Sequence, residues 1–88
     1  MSAHTSAPWR VVFDEMHCLV EDANGNAVAR VSHPFPFTTT DHERDANARL
    51  IAAAPELLYA LAKLVVEPGD PDYRAQARAA ISKAGCAA

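Results

Sequence analysis

Apolar and polar positions follow two different periods along this 88-residue chain, and the change falls near its middle. From Trp9 onward, WRVVF and HCLVED are rich in β-branched and aromatic residues, and NGNAVARVS alternates as a half-buried strand does. The pair Asn24-Gly25 is a favoured type I′ hairpin signal, because both central positions of that turn take positive φ. An antiparallel meander of three strands is therefore predicted over residues 8–32. Val28 and Val31 cannot both face inward at strict period two, so either the third strand bulges near Arg30 or one valine is exposed.

The stretch SHPFPFTTT follows, and its prolines exclude a central strand while favouring an extended loop. Phe35 and Phe37 are expected to fold back from this loop onto the core; if exposed, they become partner contacts. Thr40 to Glu43 then fits the S/T-x-x-E capping box, and Asp41, Glu43 and Asp45 suit the positive end of a helix dipole. Ala46, Leu50, Ile51 and Ala54 mark one face at helical spacing. Proline inside a helix costs roughly 3 kcal/mol, whereas at the first position of a new helix it costs little. Pro55 thus predicts two helices meeting at Ala53-Ala54-Pro55, with a kinked continuous helix as the alternative. The second carries the widest apolar stripe of the chain, Leu57, Leu58, Leu61, Leu64 and Val65, and is expected to be the main core element. EPGD ends it, Asp70-Pro71 caps and starts a third helix, and Tyr73, Ala77, Ala80, Ile81 and Ala84 form that helix's inner stripe. Gly85 stands where a left-handed stop residue belongs. Residues 1–7 read as a flexible lead-in and 8–88 as a single α+β domain, its helical part over 40–84. The expected fold is a three-stranded antiparallel β-meander packed against a bent helix pair and a third C-terminal helix.

Composition adds that the core must be thin. Half the residues are apolar, but many are alanine, and a chain of this size buries only about 60–65% of its unfolded surface. A partner or a second copy would supply what the monomer lacks, so a homo-oligomer is expected. The net charge of −3 argues against indiscriminate attraction to a nucleic-acid backbone. Cys18 and Cys86 belong to no CxxC pair and read as reduced thiols. The start, MSAHTSAPW, has neither the basic nor the apolar region of a signal peptide, and no apolar run nears the roughly 20 residues of a membrane span, so a soluble intracellular protein is expected.

Candidate chemistry is sparse. His17, Cys18, His33, His42 and Cys86 lack the paired spacing of a structural zinc site, and neither metal nor cofactor is expected. Adjacent His17 and Cys18 point to opposite faces of a strand, and no oxyanion-forming turn or Gly-rich loop accompanies them, so no enzyme is expected. The paired acids Asp14-Glu15 and Glu21-Asp22 read as turn residues. Binding has more support. Arg44, Asn47 and Arg49 fall on or near the exposed side of the first helix, and Arg74 and Arg78 make a short basic stripe on the third. Asp45 and Asp70, each four residues before an arginine, are placed to offset that charge. Asn47 is read first as a structural hydrogen bond to a strand edge or the PFPF loop, and second as a ligand contact. Trp9 is expected to cap the core with its indole N–H on a carbonyl; a stacking platform for a base is the alternative.

DANARLIAAAPELLYAL, with Tyr59 where glutamate is common, resembles a signature of small uncharacterised proteins from tailed bacteriophages and prophages, an ANARLIAAAPELLEAL-like core that follows a short β region. HTSAPWRV is similar to the HTPGPW start frequent in that group, and DANGNAVARV to its strand-turn-strand. The FPF loop and the third helix match less well. The resemblance implies a phage accessory protein acting in the bacterial cytoplasm, of a kind that often binds host factors or defence components. The expectation is thus a non-enzymatic binding module directed at a host or defence protein. A second expectation is oligomeric sequestration of a nucleotide-like ligand, with Arg44, Arg49, Arg74 or Arg78 on its phosphates and Trp9 or a phenylalanine stacking on its base. Nucleic-acid binding through Arg74 and Arg78 is the weakest, given the acidic balance.

Overall fold

The computed structural model describes residues 4–13, 17–32 and 41–85. Three strands, β1 (Arg10–Phe13), β2 (Cys18–Glu21) and β3 (Ala27–Val31), form an antiparallel sheet in the order β1-β2-β3. Three helices follow, α1 (Asp41–Ala52), α2 (Ala54–Val66) and α3 (Pro71–Lys83), giving the α+β fold that the periodicities predict. Phe35, Phe37, Thr40 of the capping box, His33 and Cys86 lie outside the described residues.

The hairpin between β2 and β3 is not the two-residue type I′ turn. Gly25 is left-handed, with φ of 84°. The Gly25 amide donates to the Asp22 carbonyl at 3.1 Å and the Asp22 amide to the Asn26 carbonyl at 2.9 Å, which makes a three-residue loop. Asp22 decides the difference, because its carboxylate Oδ1 accepts from the amides of Asn24 and Asn26, each at 2.9 Å. An Asx interaction of that kind stabilises the longer loop by satisfying two amides with one buried side chain. The irregularity in β3 falls at Val28 rather than near Arg30: Val20 pairs with Ala29 while Glu21 pairs with Ala27, leaving Val28 as the extra residue. Val31 then faces inward and is buried, and Val28 is half-buried.

α1 lies across all three strands, while α2 and α3 pack against one another rather than on the sheet. The core under α1 consists of Cys18, Val20, Val31, Ala48 and Ala52, with Trp9, Val11, Ala29 and Ile51 packed around it. The buried face of α1 is therefore Ala48-Ala52 with Ile51, not the predicted face of Ala46, Leu50, Ile51 and Ala54; Leu50 and Ala54 are exposed. Small residues at the contact let the helix backbone approach the sheet, and a leucine there would hold it off.

The corner at Pro55 forms as two helices. Ala53 is the single link between them, with φ of −86° and ψ of −4°, its amide shared between the carbonyls of Arg49 (3.1 Å) and Leu50 (3.2 Å), and Pro55 sits in the first turn of α2, where proline is tolerated. Ala52, Ala53 and Pro55 are buried at this corner. Asp70 caps α3, accepting from the amides of Asp72 (2.8 Å) and Tyr73 (3.2 Å). Gly85 ends it with φ of 88°, and a Cβ there would stand 2.9 Å from Arg49 Nε. Arg49 thus lies at the negative end of α3, where a cation is stabilising.

Along α3, Ala80 is the buried residue and Ala84 is buried just beyond its end, while Tyr73, Ala77 and Ile81 are half-buried. α2 departs furthest from expectation. It is not a core element in the sense predicted: it buries Pro55 and Ala60, half-buries Leu57 and Leu64, and leaves Leu58, Leu61 and Val65 exposed. The alanines at its contact with α3 draw the two helices close along one side, and only one side of a helix can be so covered. Much of the rest of its apolar surface is exposed.

Candidate functional site

The surface built by α2 is the most unusual feature of the molecule. Leu58, Leu61, Val65 and Val66 are 58, 62, 78 and 75% exposed, whereas the largest fully buried side chains among the described residues are Val20 and Cys18. Leu58, Leu61 and Val65, with Ala54 and Ala62, recur at helical spacing, so they lie on one side of the helix as a continuous uncharged stripe. The charged and aromatic residues of α2 take another side. Glu56 Oε1 accepts from Lys83 Nζ at 2.7 Å. Lys63 Nζ donates to Gln76 Oε1 at 2.9 Å and stands over the rings of Tyr59 and Tyr73, 4.3 and 5.3 Å from their centroids. These contacts tie α2 to α3 across their polar margins.

Where the two helices meet the N-terminal segment lies a groove of about 620 Å³, with Pro55, Ala60 and Ala80 lining it alongside Tyr59, Glu56 and Lys83. Glu56 Oε2 is buried there without a hydrogen-bond partner.

The arginines are not assembled into one site, and none of them lines this groove. Arg44 is half-buried rather than exposed, and its Nε and Nη2 both donate to Asp45 Oδ1 at 3.1 Å. Asp45 therefore meets Arg44 and not Arg49, which lies against Gly85. Asp70 caps α3, and among the described residues it forms no ion pair with Arg74. Arg74 and Arg78 are exposed on α3, and among the described residues neither forms an ion pair. Asn47 is exposed, and its side chain makes no hydrogen bond to a strand edge among the described residues. Trp9 packs against the core, with Nε1 donating to the Thr5 carbonyl at 3.2 Å and His4 edge-on to its ring at 5.8 Å. Its indole is thereby committed to closing the sheet.

Among the described residues no group of three or more His, Cys, Asp or Glu side chains is placed to hold a metal ion. Burial pushes the Cys18 thiol up from its ordinary range; nearby Arg44 pulls the other way and Asp45 adds to the rise. A thiol so placed is a core group, since a nucleophile needs its anion. No helix among the described residues is long and apolar enough to cross a membrane.

A family-model match identifies this α+β chain as a phage protein. Residues 1–88 match the family model described as Salmonella phage P22 protein Y8K6, and the chain belongs to that family. No curated protein and no solved structure matches it.

The exposed stripe was hidden in the sequence behind the same leucines that looked like core. The small residues Ala60 on α2 and Ala80 on α3 are the signal that could have found it, because small residues mark the closely packed side of a helix pair.

Proposed function

We propose that this phage protein is a non-enzymatic binding module of the bacterial cytoplasm whose target is a host or defence protein. The observation that carries the reading is the exposed stripe Leu58-Leu61-Val65 of α2, beside a core whose fully buried side chains among the described residues are no larger than valine. Contiguous exposed apolar surface rimmed by polar groups is typical of proteins that work in a complex. Support also comes from Arg74 and Arg78 on the neighbouring helix, exposed and without ion pairs among the described residues, which suit an acidic protein surface. Ligand sequestration gains no such support, because the arginines that would hold phosphate are dispersed over separate elements.

The test is capture from a bacterial host lysate on the immobilised full chain, identification of what is retained, and reconstitution with that protein purified. One specific protein should be retained, and the double variant R74E/R78E should weaken its binding at least about tenfold. Retention of no specific protein by the folded wild type contradicts the reading.

A further inference from the structure

We infer that the groove between α2, α3 and the N-terminal segment is a binding site for an uncharged small molecule with a flat apolar body and one O–H or N–H group, which donates to Glu56. The site goes beyond the reading above, since none of Leu58, Leu61 and Val65 lines it.

Size and lining are the first argument. The volume of about 620 Å³ falls within the roughly 300–1,000 Å³ of small-molecule sites. Pro55 and Ala60 of α2, with Ala79 and Ala80 of α3, give the groove an apolar lining, and His4 and Ala7 line it from the N-terminal segment. That segment is itself anchored. The Ser6 carbonyl accepts from the Ala23 amide at 2.9 Å, and the Thr5 carbonyl from the Trp9 indole at 3.2 Å. Three separately held elements therefore converge on one preformed concavity.

Polar chemistry is the second argument, because it fixes what the ligand must carry. Of the lining residues only Glu56 and Lys83 bear full charges, and they neutralise one another, Lys83 Nζ donating to Glu56 Oε1 at 2.7 Å. A ligand ion of either sign would meet its like beside its opposite, and would give up its hydration to reach an apolar lining. One valence of the pair is unmet. Glu56 Oε2 is buried and has no hydrogen-bond partner among the described residues, whereas buried carboxylate oxygens are ordinarily bonded. The other polar groups of the lining are engaged elsewhere. His4 Nδ1 bonds the Thr5 carbonyl at 2.8 Å, Tyr59 sits under Lys63, and Gln76, about two turns along α3 from Lys83, accepts from Lys63. The group that is wanting is thus a neutral donor from outside the chain. The Glu56 side chain as a whole is 33% exposed, so a turn of its carboxyl group presents Oε2 to such a donor in the groove.

The test is an NMR titration of the full chain with 2-naphthol, which has the flat body and the O–H, and with 2-methoxynaphthalene, which lacks the donor. For 2-naphthol, saturable amide shifts should centre on Ala60, Ala79 and Ala80, with a Kd below about 1 mM. The methoxy compound should bind at least about tenfold more weakly. Glu56→Met keeps a long side chain without an acceptor and should bring the two probes to equal affinity. Ala79→Leu, at an exposed position, should fill the groove and weaken both at least about tenfold. Should E56M fail to fold, A79L and the probe pair decide. The inference is overturned by a wild type that gives no saturable shift, by shifts centred on Leu58, Leu61 and Val65, or by equal affinity of the wild type for the two probes.

Discussion

At the scale of single residues, two buried polar groups of the sheet carry separable effects. Asp22 satisfies two amides of the β2-β3 loop through one oxygen, so Asp22→Ala leaves both without that acceptor. A loss of about 1–3 kcal/mol is expected in urea unfolding, with Asp22→Asn recovering part of it, because the amide oxygen still accepts. Cys18 gives a pH effect whose sign follows from its raised pKa. The folded state holds the neutral thiol more firmly than the unfolded chain does, so that contribution is intact below the unfolded pKa and is lost as pH rises through the folded one. Thermal melts of wild type should therefore fall more steeply on the alkaline side than those of Cys18→Ala, which lacks the group. Parallel curves would show that the thiol's environment is not as described.

At the scale of elements, the helix ends were legible in the sequence because each rests on local chemistry. Pro55 fixes the start of α2, Asp70-Pro71 the start of α3, and Gly85 its end, whatever the helices later pack against. The face each helix buries was not legible. With Ala54, Ala60, Ala62 and Val66 added to Leu57, Leu58, Leu61, Leu64 and Val65, apolar residues cover more than half the circumference of α2, so periodicity alone does not say which side meets α3. The choice is made by Ala60 and Ala80, where the helices approach, and that is a property of the pair rather than of either segment. The same holds for α1, which seats Ala48 and Ala52 on the sheet and leaves Leu50 outside. For the β2-β3 loop, Asn24-Gly25 signalled a turn correctly, but Asp22 two residues earlier set its length. Of the candidate site, the arginines were visible by type, while their dispersal came from competition: Asp45 took Arg44, and the end of α3 took Arg49. Close packing at Ala60 leads to an expected outcome of its own. Ala60→Leu should cost about 1–3 kcal/mol by forcing α2 from α3, whereas the same addition at exposed Ala62 should leave the monomer fold intact.

At the scale of the whole molecule, the chain divides its apolar residues unevenly. The sheet and α1 close a core of small side chains, and the leucines of α2 stand outside it. Each leucine would gain about 1.5–3 kcal/mol on full burial. Covering Leu58, Leu61 and Val65 with a partner therefore reaches the same order as the roughly 4–15 kcal/mol that association costs. A complex so formed would show a melting temperature that rises with partner concentration.

The claim that this chain is one part of an assembly is tested most directly by native mass spectrometry of the untagged protein, purified gently from the bacterial cell. The account predicts an ion that carries a further protein on the 9.4 kDa chain. A bare monomer as the sole species, at concentrations where the fold is intact, would contradict it.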